Sequence, residues 1–163
     1  MRRARRRQAA LVAALTAVCA VLVPGAPIAD PTEEEPGESA LDPDYAGGQK
    51  AIEAKDWAGA IRLLSSAALR DTRNADIQNY LGYAYRNAGD MALAFKHYSR
   101  ALELNPRHRG AHEYVGEAYL MINNVAKAEE HLAALRRICL IPCEETGHLE
   151  SKVAEYRSRG GGK

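Results

Sequence analysis

The sequence predicts an all-α protein, an α-solenoid of three stacked helix pairs closed by one further helix near the carboxyl end. Three observations predict it. First, residues recur at a step of 34: Gly48, Gly82 and Gly116; Ala60, Ala94 and Ala128; Leu64, Tyr98 and Leu132; Tyr85 and Tyr119. A period of that size marks stacked units, none of which can bury its own apolar face alone. Second, from about residue 44 the composition turns to Ala, Leu and Tyr at helical spacing among alternating charges. Third, "HLESKVAEY" sets Leu149, Val153 and Tyr156 along one side of a last helix.

Residues 1–29 read as a secretory signal. Five arginines lead into an uncharged stretch from Ala9 to Val23, followed by small residues and prolines. The apolar run falls short of the ~20 residues that a membrane-spanning helix needs. An uncleaved anchor is the alternative, because cleavage after Ala26 or Ala29 leaves Pro24 or Pro27 three residues before the cut. Cys19 raises a lipid-attachment reading, which Val18 beside it opposes. The expected location is therefore periplasmic or secreted, with membrane contact only through this segment if it is retained.

The full chain carries 22 basic and 21 acidic residues. Without residues 1–29 and their five arginines it would carry 17 and 21, a net charge of −4. That balance argues against nucleic acid as a partner. Residues 30–43, acidic and proline-bearing, read as a disordered linker.

The middle unit, residues 75–108, contains "YLGYAY" with Leu81-Gly82 and Tyr85, then Ala94, Tyr98 and Pro106. This order and spacing resembles the tetratricopeptide repeat, with Gln78 at the family's tryptophan position and Tyr98 for its phenylalanine. The unit 109–142 keeps Gly116, Tyr119, Ala128 and Leu132; the unit 41–74 keeps Gly48 and Ala60 but has Ala51 for the tyrosine. The resemblance implies a right-handed superhelix of three such repeats over residues 44–142, like that of small exported bacterial proteins of this kind. The residues support helix pairs independently. "NAGD" (Asn87–Asp90) supplies a turn and a cap, and Asn105-Pro106 stops a helix. The expected pairs run near 44–54 and 57–70, 76–88 and 91–104, 110–122 and 125–139. Residues 143–158 form the capping helix, and 159–163 a loose tail.

No nucleophile elbow, phosphate loop or H-E-x-x-H helix is present, so no catalytic residue, cofactor or metal is expected. His108 and His112 lie four apart but between Pro106 and Gly110, an incomplete ligand set. His97 and His131, on second helices, read as surface or packing residues. Cys139 and Cys143 admit three states: a disulfide fastening the turn after the last repeat, a copper or thiol-exchange site, or two free thiols. The disulfide suits the spacing best, and no methionine cluster or second ligand set supports copper.

The family resemblance also implies that partners bind along the first helices. In the middle unit these positions are Asp76, Asn79, Tyr83, Arg86 and Asn87; in the third, Glu113, Glu117, Leu120 and Met121; in the first, Tyr45, Gln49, Ile52 and Glu53. With Arg86 as the obvious cation, a clamp for a terminal carboxylate is not expected, and an extended peptide or partner helix is. The expected role is a protein-binding adaptor or scaffold of the bacterial cell envelope. The rivals are a redox or copper-handling accessory acting through Cys139 and Cys143, and self-association through the groove.

Overall fold

The computed structural model describes residues 42–160, in which seven α-helices run in sequence. They are α1 (Pro43–Glu53), α2 (Trp57–Arg70), α3 (Ala75–Asn87), α4 (Met91–Leu104), α5 (Arg109–Met121), α6 (Val125–Ile138) and α7 (Glu144–Ser158). Each bound lies within a residue of the one that the spacing predicts. The signal segment and most of the acidic linker lie outside the described residues. The linker's end does not: Pro43 occupies the first turn of α1, and the Asp42 carboxylate accepts from the amides of Asp44 and Tyr45 at 2.8 and 3.2 Å. Proline's missing N–H and preset φ suit a first helical turn, which is why the acidic run ends in a cap.

The period sets the turns as well as the helices. Asp56, Asn74, Asp90, His108 and Asn124 each accept from the backbone N–H three residues on, closing the starts of α2 to α6. At the other ends, Lys55, Gly89 and Asn123 take positive φ of 57°, 88° and 61°. These positions are 34 residues apart and close the same Schellman-type turn, with Asp56, Asp90 and Asn124 amides reaching back to Ala51, Tyr85 and Tyr119 carbonyls. Glycine and asparagine tolerate this conformation; Lys55 adopts it under the constraint of the same turn.

Packing follows the repeated columns. Ala60, Ala94 and Ala128 are completely buried, as are Leu64 and Tyr98, while Leu132 is nearly so. A Cβ on Gly48 would meet Leu64 at 2.5 Å, and one on Gly82 would meet the Tyr98 ring at 2.6 Å. The glycines are therefore contact surfaces for the large residue of the paired helix. Gly116 serves α7 instead: its Cβ would lie 2.6 Å from Leu149. Helix α7 thus occupies the place where the first helix of a fourth unit would sit. Leu149 falls 34 residues after Val115, itself 34 after Leu81.

Two histidines on successive columns form a titratable pair between α5 and α6. His112 Nε2 donates to the Pro106 carbonyl at 3.1 Å, so in the neutral ring its Nδ1 accepts from His131 Nδ1 at 2.9 Å. Burial, then the neighbouring His112, holds the His131 pKa down at about 4; burial lowers His112 as well. The folded protein therefore disfavours protonation, and stability should fall as pH drops from about 6.5 toward 4. After discounting for partial exposure, we expect a loss of about 1 kcal/mol between pH 7 and pH 5. Glu113, raised by burial, works in the opposite direction at the lower end of that window. Thermal unfolding of His131→Gln should show less than half the wild-type pH dependence. An equal dependence in both proteins would place it elsewhere.

Candidate functional site

The first helices α3, α5 and α7 line two clefts on one face, separated by an aromatic and cationic centre. In that centre the rings of Tyr83 and Tyr114 lie 4.8 Å apart, and the edge of Trp57 packs on Tyr83 at 6.1 Å. The Arg86 guanidinium sits 5.0 Å from the Tyr83 ring centroid and 5.6 Å from that of Tyr114. Its Nη1 donates to Glu117 Oε2 at 2.7 Å and to the Tyr114 carbonyl at 3.1 Å. Burial of the Arg86 side chain, 7% exposed, requires such pairing. Arg86, expected as the groove's available cation, is thus engaged by α5 and presents little charge to a ligand. Burial and the nearby Glu113 push the Tyr114 phenol up to about 12.

The cleft at the starts of these helices has a volume of about 490 Å³. Asp76 meets His108 Nε2 at 2.9 Å, and that hydrogen bond holds the Asp76 carboxyl below its ordinary value. Across the cleft, His148 of α7 bridges Glu113 at 3.1 Å and Glu144 at 3.6 Å. Burial raises the Glu113 carboxyl, and the His148 hydrogen bond offsets part of the rise. Asn79, on the floor, is 4% exposed, and its side-chain oxygen is buried without a hydrogen-bond partner among the described residues.

The cleft at the helix ends, about 380 Å³, mixes charge with apolar surface. Arg86, Asn87, Glu117, Leu120 and Met121 face Lys152, Glu155 and Tyr156 of α7, and Arg159 just past its end, across it. Met121 is 60% exposed, and Asn87 donates to the Tyr83 carbonyl at 2.8 Å.

The structure therefore distributes Asn79, Tyr83, Arg86, Asn87, Glu113, Glu117 and Met121 along one face. Tyr45 joins it through Tyr80 at a 6.0 Å ring separation and accepts from Gln49 Nε2 at 3.3 Å. Ile52 packs into the core around Leu64 and Leu81 instead, and Glu53 is exposed outside both clefts. Cys139 and Cys143 are joined at the α6–α7 turn with Cα atoms 5.9 Å apart, and neither lines a cleft. Reasoning from sequence missed His148, Lys152, Tyr156 and Arg159, because it treated α7 as a cover. Continuation of the 34-residue step through Leu149 was the signal that α7 extends the binding face.

Family models described as tetratricopeptide repeat match residues 75–108 and 96–139. Protein O-mannosyl-transferase TMTC3 of Homo sapiens is 33% identical over 75 residues, and its Mus musculus counterpart 32% over 74. The matches cover 46% and 45% of this chain but only 8% of each of those proteins. Among solved structures, the TPR2B domain of yeast Sti1 in its pHsp70 complex superposes with a TM-score of 0.63 at 19% identity, covering 70% of this chain and 95% of that one. The Yersinia enterocolitica secretion chaperone SycD, with a peptide of the translocator YopD, gives 0.65 at 15% identity over 74% and 95%. With seven helices in 34-residue register and the repeat's own glycine, alanine and tyrosine columns in contact, the chain belongs to the tetratricopeptide-repeat family.

Proposed function

We propose that this protein is a binding adaptor of the bacterial cell envelope, exported by its amino-terminal segment, which holds an extended peptide or partner helix along α3, α5 and α7. The carrying observation is the arrangement of that face. A half-buried Tyr83–Tyr114 shelf stands between a cleft with a buried, unpartnered amide oxygen at Asn79 and a cleft with exposed Met121. Aromatic rings contribute contact area at low entropic cost, and buried amides pair with a peptide backbone. The complexes of the similar folds, SycD with a YopD peptide and the Sti1 domain with pHsp70, support the same use of the fold. Placing α7 in the wall adds Lys152 and Arg159 to the helix-end cleft, where both share Glu155, so three cations face two carboxylates and a ligand with one acidic residue beside an apolar anchor fits best.

The test is selection of a displayed random-peptide library on the immobilised protein, followed by calorimetric titration of the enriched peptide. Tyr83→Ala and Asn79→Ala should each weaken that peptide at least roughly tenfold, the scale of an interface anchor, with helicity unchanged. Absence of enrichment, or a peptide indifferent to both substitutions, would reject the groove as the binding face.

A further inference from the structure

The turn joining α6 to α7 carries two adjacent, strongly exposed apolar side chains: Leu140 is 96% exposed and Ile141 82%, while Leu69, exposed to a similar degree, stands without such a neighbour. Soluble surfaces show isolated apolar residues routinely, but two adjacent aliphatics on a protruding tip are a different feature. Cys139 and Cys143 close the turn on both sides, so the pair cannot fold back against α6. Arg107 lies beside the tip and donates to the Ile138 carbonyl at 3.4 Å. With Arg137 it flanks a cleft of about 450 Å³ whose other walls include Pro106, Ala134 and Ile138.

Charge near the tip is lopsided. Residues 105–109 and 136–145 hold four arginines and two glutamates. Arg109 is matched by Glu145 at 3.5 Å, Arg136 by Glu150 at 2.6 Å, and Glu144 approaches His148 at 3.6 Å. Arg107 and Arg137 form no ion pair with any described carboxylate, and both are exposed. We propose that this tip docks on an anionic lipid surface. Leu140 and Ile141 enter the interfacial layer, and Arg107 and Arg137 meet the headgroup phosphates. A convex pair of aliphatics beside unmatched guanidinium groups is what a bilayer interface accepts, since it supplies apolar depth and negative charge without a shaped pocket. The disulfide preorganises the pair for insertion.

The test uses the full chain and a readout at the tip itself, because the amino-terminal segment can carry the protein to vesicles on its own. Trp57 is the sole tryptophan, so Ile141→Trp adds one reporter, and the unsubstituted chain controls for Trp57. On vesicles of brominated phosphatidylcholine with phosphatidylglycerol, fluorescence from position 141 should be quenched about twofold or more, with Trp57 unaffected. Arg107→Glu with Arg137→Glu in the same chain should remove at least roughly half of that quenching, as should raised salt. Three results would overturn the proposal. One is no quenching at position 141 on anionic vesicles. Another is equal quenching on neutral phosphatidylcholine. The third is a blue-shifted emission that follows a concentration-dependent dimer without lipid, which would assign the tip to a second copy of this chain.

Discussion

Replacing Gly82 with leucine should destabilise the protein by about 3 kcal/mol, the upper end of the usual range for overfilling a packed core. The helix would tolerate the substitution: Gly82 has ordinary helical geometry, and most residues have higher helix propensity than glycine by up to about 1 kcal/mol. The loss comes from Tyr98. Two ring carbons lie 2.6 Å from the position of the new Cβ, and the ring is completely buried, with no solvent side into which to swing. Either α3 and α4 separate or Tyr98 leaves its rotamer, and both open the middle of the solenoid. The urea midpoint should fall by about 1.5 M with little change in slope. Gly147→Ala supplies the contrast, since nothing lies within 4 Å of its Cβ position. It should stabilise α7 by about 0.5–1 kcal/mol through backbone entropy alone. If Gly82→Leu were neutral, the glycine column would not be a packing requirement, and the physical basis of the repeat would lie elsewhere.

This contrast explains what was legible in the sequence. The glycine, alanine and large-residue columns are local consequences of helices approaching closely, so they recur at the period and can be read from one chain. The same holds for the cap at Asp90 and for Gly89 in the left-handed turn position. Lys55 was not legible there, because lysine gives no sign of a positive φ; its placement follows only from the register of its neighbours. The binding face was legible as a set of positions but not as a set of charges. Arg86 finds Glu117 across 31 residues, and that pairing depends on the superhelical rise between α3 and α5, which spacing within a unit cannot supply. Helix α7 was read from its apolar stripe, which is narrow. Its polar residues looked like a solvated back, and only the fold shows that Lys152 and Arg159 turn toward Arg86 and Glu117.

Truncating Leu149 to alanine should release α7 while leaving the repeats folded. Leu149 is fully buried against Gly116, and with Thr146 and Val153 it is one of only three buried residues in the helix. Loss of a buried leucine costs about 2–5 kcal/mol. The other ties are the Arg136–Glu150, Arg157–Glu129 and Arg109–Glu145 pairs, the His148–Glu113 contact and the Tyr156 hydroxyl donating to Asn123 at 3.3 Å. Exposed ion pairs contribute about 0–1 kcal/mol each, too little to hold the helix alone. In a solenoid, stability is a sum of unit and neighbour terms, so a terminal helix can detach without unfolding the units behind it. Amide exchange in Leu149→Ala should therefore rise steeply over residues 144–158 and stay near wild type in α3 and α4. Uniform acceleration across all seven helices would instead show that α7 folds as one unit with the repeats. The functional consequence separates two roles for the helix. If α7 is a wall of the binding face, a peptide that depends on the helix-end cleft should lose affinity along with Lys152, Tyr156 and Arg159. If α7 only covers apolar surface, affinity should survive its detachment. Lys152→Glu with Arg159→Glu, which leaves Leu149 in place, then distinguishes loss of the wall's charge from loss of the wall itself.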